Sequence, residues 1–270
     1  MITASVVIFN TERGELLNLL DCLKNNNIDL VFIIDNSLHD DMREVLSDFS
    51  YVIYSWGHGN VGYGAGHNIA IKKAIELKSD YHLVVNSDIS FEVGTLSELK
   101  DYMDQNQEIG LIMPKIVDLN GEVQKLCKLL PTPVDLILRR FIPFKRILEN
   151  RNISYEMRES GYDKIIDVPF LSGCFMFCRT EALKKVNGFS NRYWMYCEDM
   201  DLCRRIGESY RTVFYPFVSV THIHKKESFL NRKMLWAHIK SAVKYFNYWG
   251  WFFDKKRRVI NKNAMKQYKK

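Results

Sequence analysis

Short apolar runs alternate with helical patterns along the first third of the chain. The runs are almost continuously apolar, which is typical of strands buried on both faces of a sheet. They lie at residues 5–9, 30–34, 51–54 and 81–85. Helices are predicted between them, over 12–25, 42–49 and 68–77. Strands that alternate with helices predict an α/β fold, with a mostly parallel sheet flanked by helices.

The second half of the chain follows this alternation less regularly. A buried strand is predicted over 170–177, and residues 231–253 have helical spacing. Residues 129–151 contain three prolines and scattered basic residues, which is typical of a mobile lid. We therefore expect one domain over residues 1–230 and a C-terminal amphipathic helical extension over 231–270.

The positive charge of the chain is concentrated at its C-terminus. The net charge is +6, and residues 253–270 carry eight Lys or Arg and one Asp, so the preceding residues sum to −1. Because the residues before 253 carry no excess positive charge, they are not expected to bind nucleic acid. The chain opens without a leader pattern, and no apolar run reaches the ~18–20 residues of a spanning helix. We expect a cytoplasmic protein.

Polar residues follow each predicted strand of the first half. In open α/β sheets, ligands bind outside the carboxyl ends of the strands. The polar positions there are Asp35 and Asn36, the segment 60–68, and Asn86, Ser87 and Asp88. A carboxylate such as Asp88 at a rigid strand end could hold a divalent cation that neutralises a diphosphate. The alternative is that Asp88 only caps the following turn.

Three glycines within five residues mark the segment 60–68. Gly62, Gly64 and Gly66 would let the backbone approach a ligand, and N–H groups at the next helix start favour an anion. Neither a Walker P-loop nor the dinucleotide fingerprint has this spacing. The alternative is a flexible turn.

Adjacent carboxylates follow an aromatic run and open a predicted helix. The positive end of the helix would keep Glu198 or Asp199 ionised, so that one of them could act as a base. The alternative is that the two carboxylates only stabilise the helix by their favourable interaction with its positive end. Asp201 and Arg205 are spaced for an ion pair along the same helix. His222 follows an apolar run and is either a ligand or a structural residue. The six cysteines lack zinc-site spacing and are interpreted as core residues.

The C-terminal helix has one apolar face with basic edges. Its apolar positions are Leu235, Ile239, Ala242, Phe246 and Trp249. Beside a polybasic tail, such a helix suits the surface of an anionic membrane. The alternatives are that it packs on its own domain or on a second subunit, as a homodimer.

Together these motifs resemble family 2 glycosyltransferases of the GT-A fold, and most of all rhamnosyltransferase-like enzymes of bacterial O-antigen and capsule polysaccharide synthesis. The resemblance covers about residues 1–230. It rests on the motifs Val7-Ile8-Phe9-Asn10, Ile34-Asp35-Asn36, Asn60-x-Gly62-x-Gly64-x-Gly66-x-Asn68, Asn86-Ser87-Asp88, Ser172-Gly173-Cys174 and Tyr196-Cys197-Glu198-Asp199-x-Asp201-Leu202.

The resemblance implies a role for each motif. Residues 1–115 would form the nucleotide-sugar half and 116–230 the acceptor half. The donor-binding residues would be Phe9, Asn10, Asp35, Asn36, Asn60, Gly62, Gly66, Asn68, Asn86 and Ser87. Asp199 would be the catalytic base, and the acceptor would contact Gly173, Trp194 and Glu198. Asp88 and His222 would hold Mg²⁺ or Mn²⁺.

This sequence departs from the family pattern at three places. Asn86 stands where many members have the first Asp of the metal motif. Ser37 follows Asn36 where a Gly is usual, and His67 occupies a position that is often basic or polar.

The implied reaction is inverting transfer of a sugar, such as rhamnose, from a dTDP- or UDP-linked donor. The acceptor would be a saccharide or a lipid-linked oligosaccharide, which suits an enzyme peripheral to the inner face of the membrane. A nucleotidyltransferase would carry a glycine-rich loop after the first strand, and residues 10–14 hold one Gly. A non-catalytic scaffold of a polysaccharide assembly is the other alternative.

Overall fold

The computed structural model describes residues 1–137, 145–223 and 232–269, and every statement below concerns these residues. The strands are β1 (Ile2–Ile8), β2 (Leu30–Asp35), β3 (Val52–Ser55), β4 (Tyr81–Val85), β5 (Ile89–Phe91), β6 (Ile109–Val117), β7 (Cys127–Lys128), β8 (Ile166–Asp167), β9 (Phe170–Leu171), β10 (Phe175–Arg179) and β11 (Arg211–His222). The helices are α1 (Arg13–Asn25), α2 (Arg43–Leu46), α3 (Tyr63–Glu76), α4 (Thr95–Gln105), α5 (Pro133–Leu136), α6 (Lys145–Tyr155), α7 (Thr180–Val186), α8 (Glu198–Ile206), α9 (Arg232–Trp249) and α10 (Lys255–Lys266).

One large sheet organises the described part of the chain. Its strand order is β3-β2-β1-β4-β10-β6-β11-β5, with β8 beside β11, and β7 and β9 form a separate ribbon. The pairs β2-β3, β1-β2, β1-β4 and β6-β11 are parallel, whereas β10, β5 and β8 run antiparallel to their neighbours. Six of the nine strands therefore share one direction. The predicted α/β fold with a mostly parallel sheet is confirmed.

Helices cover both faces of the sheet. Along β2, Val31 and Ile33 belong to the core that contains the leucines of α1, whereas Phe32 and Ile34 pack with Ala70 of α3. Successive strand residues point to opposite faces, so α1 and α3 lie on opposite sides of β2. Because β1, β2 and β4 are parallel, their carboxyl ends lie at the same edge of the sheet.

The glycines of the predicted anion loop lie mostly inside a helix. Helix α3 begins at Tyr63, five residues earlier than predicted. A Cβ on Gly66 would lie 2.8 Å from Val7 of β1, and one on Gly64 would lie 2.9 Å from Phe189. Both glycines therefore serve close packing of α3, and the flexible-turn alternative is wrong for them.

The predicted strand over 170–177 is interrupted. Residues 172–174 form a turn between β9 and β10, because the Gly173 N–H is directed at the Asp199 carboxylate instead of a neighbouring strand. The segment predicted as a lid, residues 129–151, contains α5 and the first part of α6. Leu129 and Leu130 in it are buried, and residues 138–144 lie outside the described part.

The C-terminal extension packs on the catalytic domain. Ala242, Tyr245 and Phe246 of α9 are fully buried, and the basic tail forms α10, whose Asn261 exchanges two hydrogen bonds with the backbone of Leu130. The apolar face that was expected to meet a membrane is therefore used inside the protein along the second half of α9. The alternative, packing on its own domain, is what the structure shows.

A buried ion pair joins α8 to this extension. Arg204 lies 2.7 Å from Asp254, and the two side chains are 2% and 4% exposed. The Arg204 guanidinium also stacks 4.0 Å from the Trp249 ring centroid and donates to the Tyr245 hydroxyl. Stacking and hydrogen bonding together compensate part of the cost of removing the charge from water.

The six cysteines are free thiols, and five of them are buried. Burial raises the pKa of Cys174 to about 12 and that of Cys178 further. The interpretation of these cysteines as core residues is confirmed. None of the described helices is both long and apolar enough to cross a bilayer.

The Arg204–Asp254 pair should dominate the anchoring of α10. Asp254→Asn keeps an acceptor for the helix cap but leaves the buried guanidinium without its counter-charge, which should lower the free energy of unfolding by about 3 kcal/mol. Glu208→Gln is the matched control, since its 3.3 Å contact with Lys256 is exposed, and it should cost less than ~1 kcal/mol. Urea unfolding measures both, and equal midpoints for the two variants would contradict the expectation.

Candidate functional site

A buried carboxylate and an exposed aromatic ring mark the ends of β1 and β2. Asp35 is buried and accepts a hydrogen bond from the Ser37 N–H at 2.8 Å. The Tyr54 hydroxyl lies 2.8 Å from the carboxylates of both Asp35 and Asp40, and burial together with these two charges raises the pKa of Tyr54. Phe9 is 55% exposed directly after β1. An apolar ring beside an oriented carboxylate suits a planar, hydrogen-bonding ligand such as a nucleotide base.

The segment before α3 is bound to the loop that carries Trp194. The Asn36 amide donates to the Gly62 carbonyl, and the Gly62 N–H donates to the Asn60 side chain at 3.1 Å. A Cβ on Gly62 would lie 2.0 Å from the Trp194 carbonyl oxygen, and the φ of Gly62 is +89°, so only glycine fits there. The Trp194 indole donates to the Asn60 carbonyl. Four predicted site residues therefore form one connected cluster.

Three predicted donor-binding residues make contacts within the protein. The Asn68 amide bonds the backbone N–H and carbonyl of Phe189, each at 2.8 Å, and joins α3 to the neighbouring loop. The Ser87 hydroxyl donates to Glu15 at 2.5 Å. Asn10 has a positive φ and donates its N–H to the Ser37 hydroxyl. Contact of these residues with a donor stays a prediction.

The predicted metal ligands lie side by side. Strand β11 pairs with β5, and this brings His222 Nε2 to 3.3 Å from Asp88 Oδ2. On its other side, His222 Nδ1 lies 3.0 Å from the Gln124 side-chain oxygen, and the Gln124 amide nitrogen donates to the His222 carbonyl. His224 lies outside the described residues.

This pair fits a hard divalent cation that has other ligands as well. A carboxylate oxygen and an imidazole nitrogen are suitable ligands for Mg²⁺ or Mn²⁺. Across the described ranges, no group of three or more His, Cys, Asp or Glu side chains could hold a metal by itself. Asn86 adds no charge, and its N–H donates to the Cys174 carbonyl. A cation at Asp88 and His222 would therefore share its coordination with ligand oxygens and water.

The predicted base is held at the start of α8 by two backbone N–H groups. Asp199 accepts from the Gly173 N–H at 3.0 Å and from the Met200 N–H at 2.8 Å. Burial raises the pKa of Asp199, and these two hydrogen bonds oppose the shift. The Tyr63 hydroxyl donates to the Gly173 carbonyl at 2.6 Å and lies 3.3 Å from the Asn86 amide oxygen. Tyr63 thus connects the Asn86 strand end to the turn that holds the base.

Glu198 differs from its neighbour in having an unsatisfied oxygen. The residue is 5% exposed, and its Oε2 atom has no hydrogen-bond partner in the structure. Burial and the charge of Asp199 raise the pKa of Glu198 to about 8. Burial raises the pKa of both adjacent carboxyl groups, and the backbone hydrogen bonds from Gly173 and Met200 favour the ionised form of Asp199.

Both carboxyl groups line a cavity of about 290 Å³ between the catalytic domain and α9. Lys128 and Phe170 contribute to one side of it, and Met234 and His238 of α9 to another. Gly173 and Trp194, which the sequence assigned to the acceptor, are not among the residues that line it.

Sequence reasoning missed several residues of the site. Lys128 and His238 enter the cavity through tertiary packing, and no motif marks them. Gln124 follows β6 in a segment that has no predicted function. Tyr63 lies between Gly62 and Gly64 of the glycine motif, and its polar hydroxyl group at that position could have identified it as a site residue.

Comparison with known proteins identifies the family. Residues 4–186 match Glycosyl transferase family 2. The chain belongs to this family. Residues 153–226 also match the family described as the N-terminal domain of galactosyltransferase. The predictions of family membership and of an enzyme that transfers a sugar are confirmed.

Two curated relatives are rhamnosyltransferases. This family 2 chain is 26% identical over 253 residues to rhamnosyltransferase WbbL of Escherichia coli. The aligned residues cover 89% of each of the two proteins. It is 29% identical over 182 residues to the N-acetylglucosaminyl-diphospho-decaprenol L-rhamnosyltransferase of Mycobacterium tuberculosis. That match covers 63% of this chain and 57% of the relative.

Solved structures support the fold. The mannosyltransferase PcManGT from Pyrobaculum calidifontis, in complex with GDP-Man and Mn²⁺, has a TM-score of 0.61 at 13% identity over 98% of this chain and 74% of that one. TarS from S. aureus has a TM-score of 0.58 at 17% identity, over 91% of this chain and 65% of that one. The predicted GT-A fold of this family 2 chain is confirmed.

The raised pKa of Glu198 should make stability depend on pH. The folded protein keeps a proton on Glu198 that the unfolded chain releases above its ordinary pKa of 4.5, so the free energy of unfolding should fall as pH rises from about 4.5 to about 8. Glu198→Gln cannot ionise and should lack this loss. Thermal unfolding in EDTA at several pH values measures it. A constant difference in Tm between wild type and variant over this range would refute the assignment.

Proposed function

We propose that this family 2 enzyme is an inverting rhamnosyltransferase of cell-surface polysaccharide synthesis. Its donor is a dTDP- or UDP-linked sugar, and its acceptor is the saccharide end of a lipid-linked oligosaccharide. The observation that carries the proposal is the Asp199 carboxylate, which two backbone N–H groups orient in the wall of a sugar-sized cavity. The rhamnosyltransferase names of two relatives support the sugar, and the lipid-linked acceptor follows the name of one of them.

The donor fits the open edge of the sheet. Phe9 offers an exposed ring to the nucleotide base, and Asp35, oriented by Tyr54, offers an acceptor to its imide N–H or to the ribose. Asp88 and His222 would hold Mg²⁺ or Mn²⁺ beside the diphosphate. A divalent cation there neutralises the diphosphate and makes it a better leaving group.

Asp199 removes the proton from the acceptor hydroxyl as that oxygen attacks the anomeric carbon. The new bond forms on the face opposite the nucleoside diphosphate, whose bond to the same carbon breaks, so the configuration inverts. The N–H groups of Gly173 and Met200 keep the carboxylate ionised and fix its direction. A diphosphate leaves without a proton, so one base suffices where a glycosidase needs two carboxyl groups.

Glu198 orients the acceptor in this reaction. Its protonated carboxyl group can donate a hydrogen bond to an acceptor oxygen from inside the cavity, which an ionised carboxylate cannot do. Phe170 and Tyr196 line the same cavity and supply apolar faces for a sugar ring.

Asp199→Asn should test the base directly. The amide keeps the size of the side chain and cannot accept the proton, so turnover should fall by about 10²–10⁴. Binding of dTDP or UDP with Mn²⁺, measured by thermal shift, should stay unchanged. The neighbouring variant Glu198→Gln keeps a hydrogen-bond donor and should lose much less turnover.

Transfer is measured with a panel of nucleotide sugars and a lipid-linked saccharide. Near wild-type transfer by Asp199→Asn would remove Asp199 as the base. Absence of transfer and of donor hydrolysis by the wild type would favour the non-catalytic scaffold that the sequence left as an alternative.

Membrane contact is proposed through the turn between α9 and α10. Phe252 and Phe253 are 62% and 91% exposed in this turn. The exposed cations Lys255, Lys256 and Arg258 follow at once on α10. Aromatic side chains beside several cations suit an anionic bilayer surface, where each cation contributes about 1 kcal/mol. A lipid-linked acceptor would be presented at the same surface, on the cytoplasmic side.

Replacing both phenylalanines, Phe252→Ser and Phe253→Ser, should reduce co-sedimentation with vesicles that contain anionic phospholipid. The control is Phe217→Ser on β11, whose ring is 64% exposed, and it should leave binding unchanged. Equal sedimentation of the three proteins would exclude the turn as the contact. A concentration-dependent homodimer that the double variant abolishes would assign the turn to a second subunit instead.

A further inference from the structure

Gln124 holds His222 at two points. The Gln124 amide nitrogen lies 2.9 Å from the His222 carbonyl oxygen, and the Gln124 side-chain oxygen lies 3.0 Å from His222 Nδ1. A carbonyl oxygen only accepts hydrogen bonds, so the amide nitrogen must be the atom that faces it. This fixes which way the Gln124 amide points.

The orientation of the amide decides the tautomer of the imidazole. The Gln124 oxygen also only accepts, so His222 Nδ1 must carry a hydrogen. In a neutral ring the lone pair is then on Nε2, the atom that lies 3.3 Å from Asp88. The opposite tautomer would place the Nδ1 lone pair against the Gln124 oxygen, which is repulsive. The Nε2 lone pair faces the Asp88 carboxylate, and a cation bound to both atoms would remove the repulsion between them.

The backbone keeps Gln124 in this position. Its N–H donates to the Ile116 carbonyl of β6 at 2.9 Å, and the Leu126 N–H donates to its carbonyl at 2.9 Å. Ile116 is paired with Val220 of β11, two residues before the histidine. The two strands therefore set the distance between Gln124 and His222, and the pairing is present before any ligand binds.

We propose that Gln124 is a positioning residue that presents Nε2 of His222, as a lone-pair donor, to a divalent cation shared with Asp88. Histidines that bind metals usually donate the hydrogen of the other ring nitrogen to a fixed acceptor, and loss of such an acceptor typically weakens binding 10–100-fold. This inference depends on the proposed function only in one respect, namely that the cation binds the diphosphate of the donor.

The tautomer can be measured in the absence of metal. Long-range ¹H–¹⁵N correlation spectra in EDTA report which of the ring nitrogens carry a hydrogen. His222 should have its hydrogen on Nδ1 in the wild type, and Gln124→Met should shift it toward Nε2. The signals of the buried His67 and His82 should not change between the two proteins. A wild-type His222 with its hydrogen on Nε2 would overturn the proposal.

Metal affinity gives a second, independent measurement. Mn²⁺ binding in the presence of UDP or dTDP, followed by electron paramagnetic resonance, should be 10–100-fold weaker in Gln124→Met than in the wild type. Gln124→Glu keeps an acceptor for the Nδ1 hydrogen and should lose less affinity. Asp88→Ala supplies the reference for loss of a ligand.

The chain offers a matched control in Gln267. Gln267 follows the last residue of α10. Its amide oxygen accepts a hydrogen bond from the Asp167 N–H, and its amide nitrogen donates one to the Asp167 carbonyl. Like Gln124, it therefore contacts its partner residue at two points. Gln267→Met should leave Mn²⁺ affinity unchanged. Equal affinities of Gln124→Met and Gln267→Met would overturn the proposal.

These outcomes separate the proposal from the proposed function. A wild type that binds Mn²⁺ through Asp88 and His222 but transfers no sugar would refute the rhamnosyltransferase assignment and leave the role of Gln124 intact. Sugar transfer by the wild type, with unchanged Mn²⁺ affinity in Gln124→Met, would refute only the role of Gln124.

Discussion

The buried carboxylate of Asp201 connects the elements that form the active site. It accepts from Arg205 at 2.7 Å on its own helix α8 and from the Trp249 indole of α9 at 2.8 Å. The Arg205 guanidinium continues to the Gly188 carbonyl, in the loop that Asn68 of α3 holds through Phe189. The base helix, the donor helix and the C-terminal extension are thus joined by one polar network in the interior. Because buried polar groups are costly when a partner is lost, these elements should keep a single arrangement.

The C-terminal extension contributes to the wall of the cavity that contains Asp199. Met234 and His238 on the first half of α9 line the cavity of Asp199, while Ala242 and Phe246 on its second half are buried in the domain. The first half of α9 thus faces the cavity, and its second half packs in the hydrophobic core. These cavity-lining residues of α9 lie outside the parts matched to known families, which end at residue 186 for one match and at 226 for the other.

Local pattern predicted the strands well and the tertiary contacts poorly. The strand over 81–85 has its predicted limits, and the Asp201–Arg205 pair forms, because both depend on neighbours in sequence. The interruption at Gly173 and the two-point contact of Gln124 depend on groups that are distant along the chain, so no periodicity reports them. The sequence suggested that the basic tail lies beside an anionic membrane, but it forms the packed helix α10. Arg257 and Ala264 are the buried residues of α10, which is too sparse a pattern to identify a packed helix from sequence. Motif order predicted that Asp88 and His222 lie together, and they do, because the ends of paired strands are fixed by topology.

The distribution of thiols makes the protein convenient for labelling. Cys22 on α1 is partly exposed, whereas the other five cysteines are buried. Thiolates, not thiols, react with maleimides, and burial raises the pKa of each of those five, for example Cys127 and Cys203. A single fluorophore or spin label can therefore be attached to the native sequence at Cys22. The label would lie on the nucleotide half, on the helix whose Glu15 receives the hydrogen bond from Ser87 beside Asp88, and could report ligand binding without any cysteine being replaced.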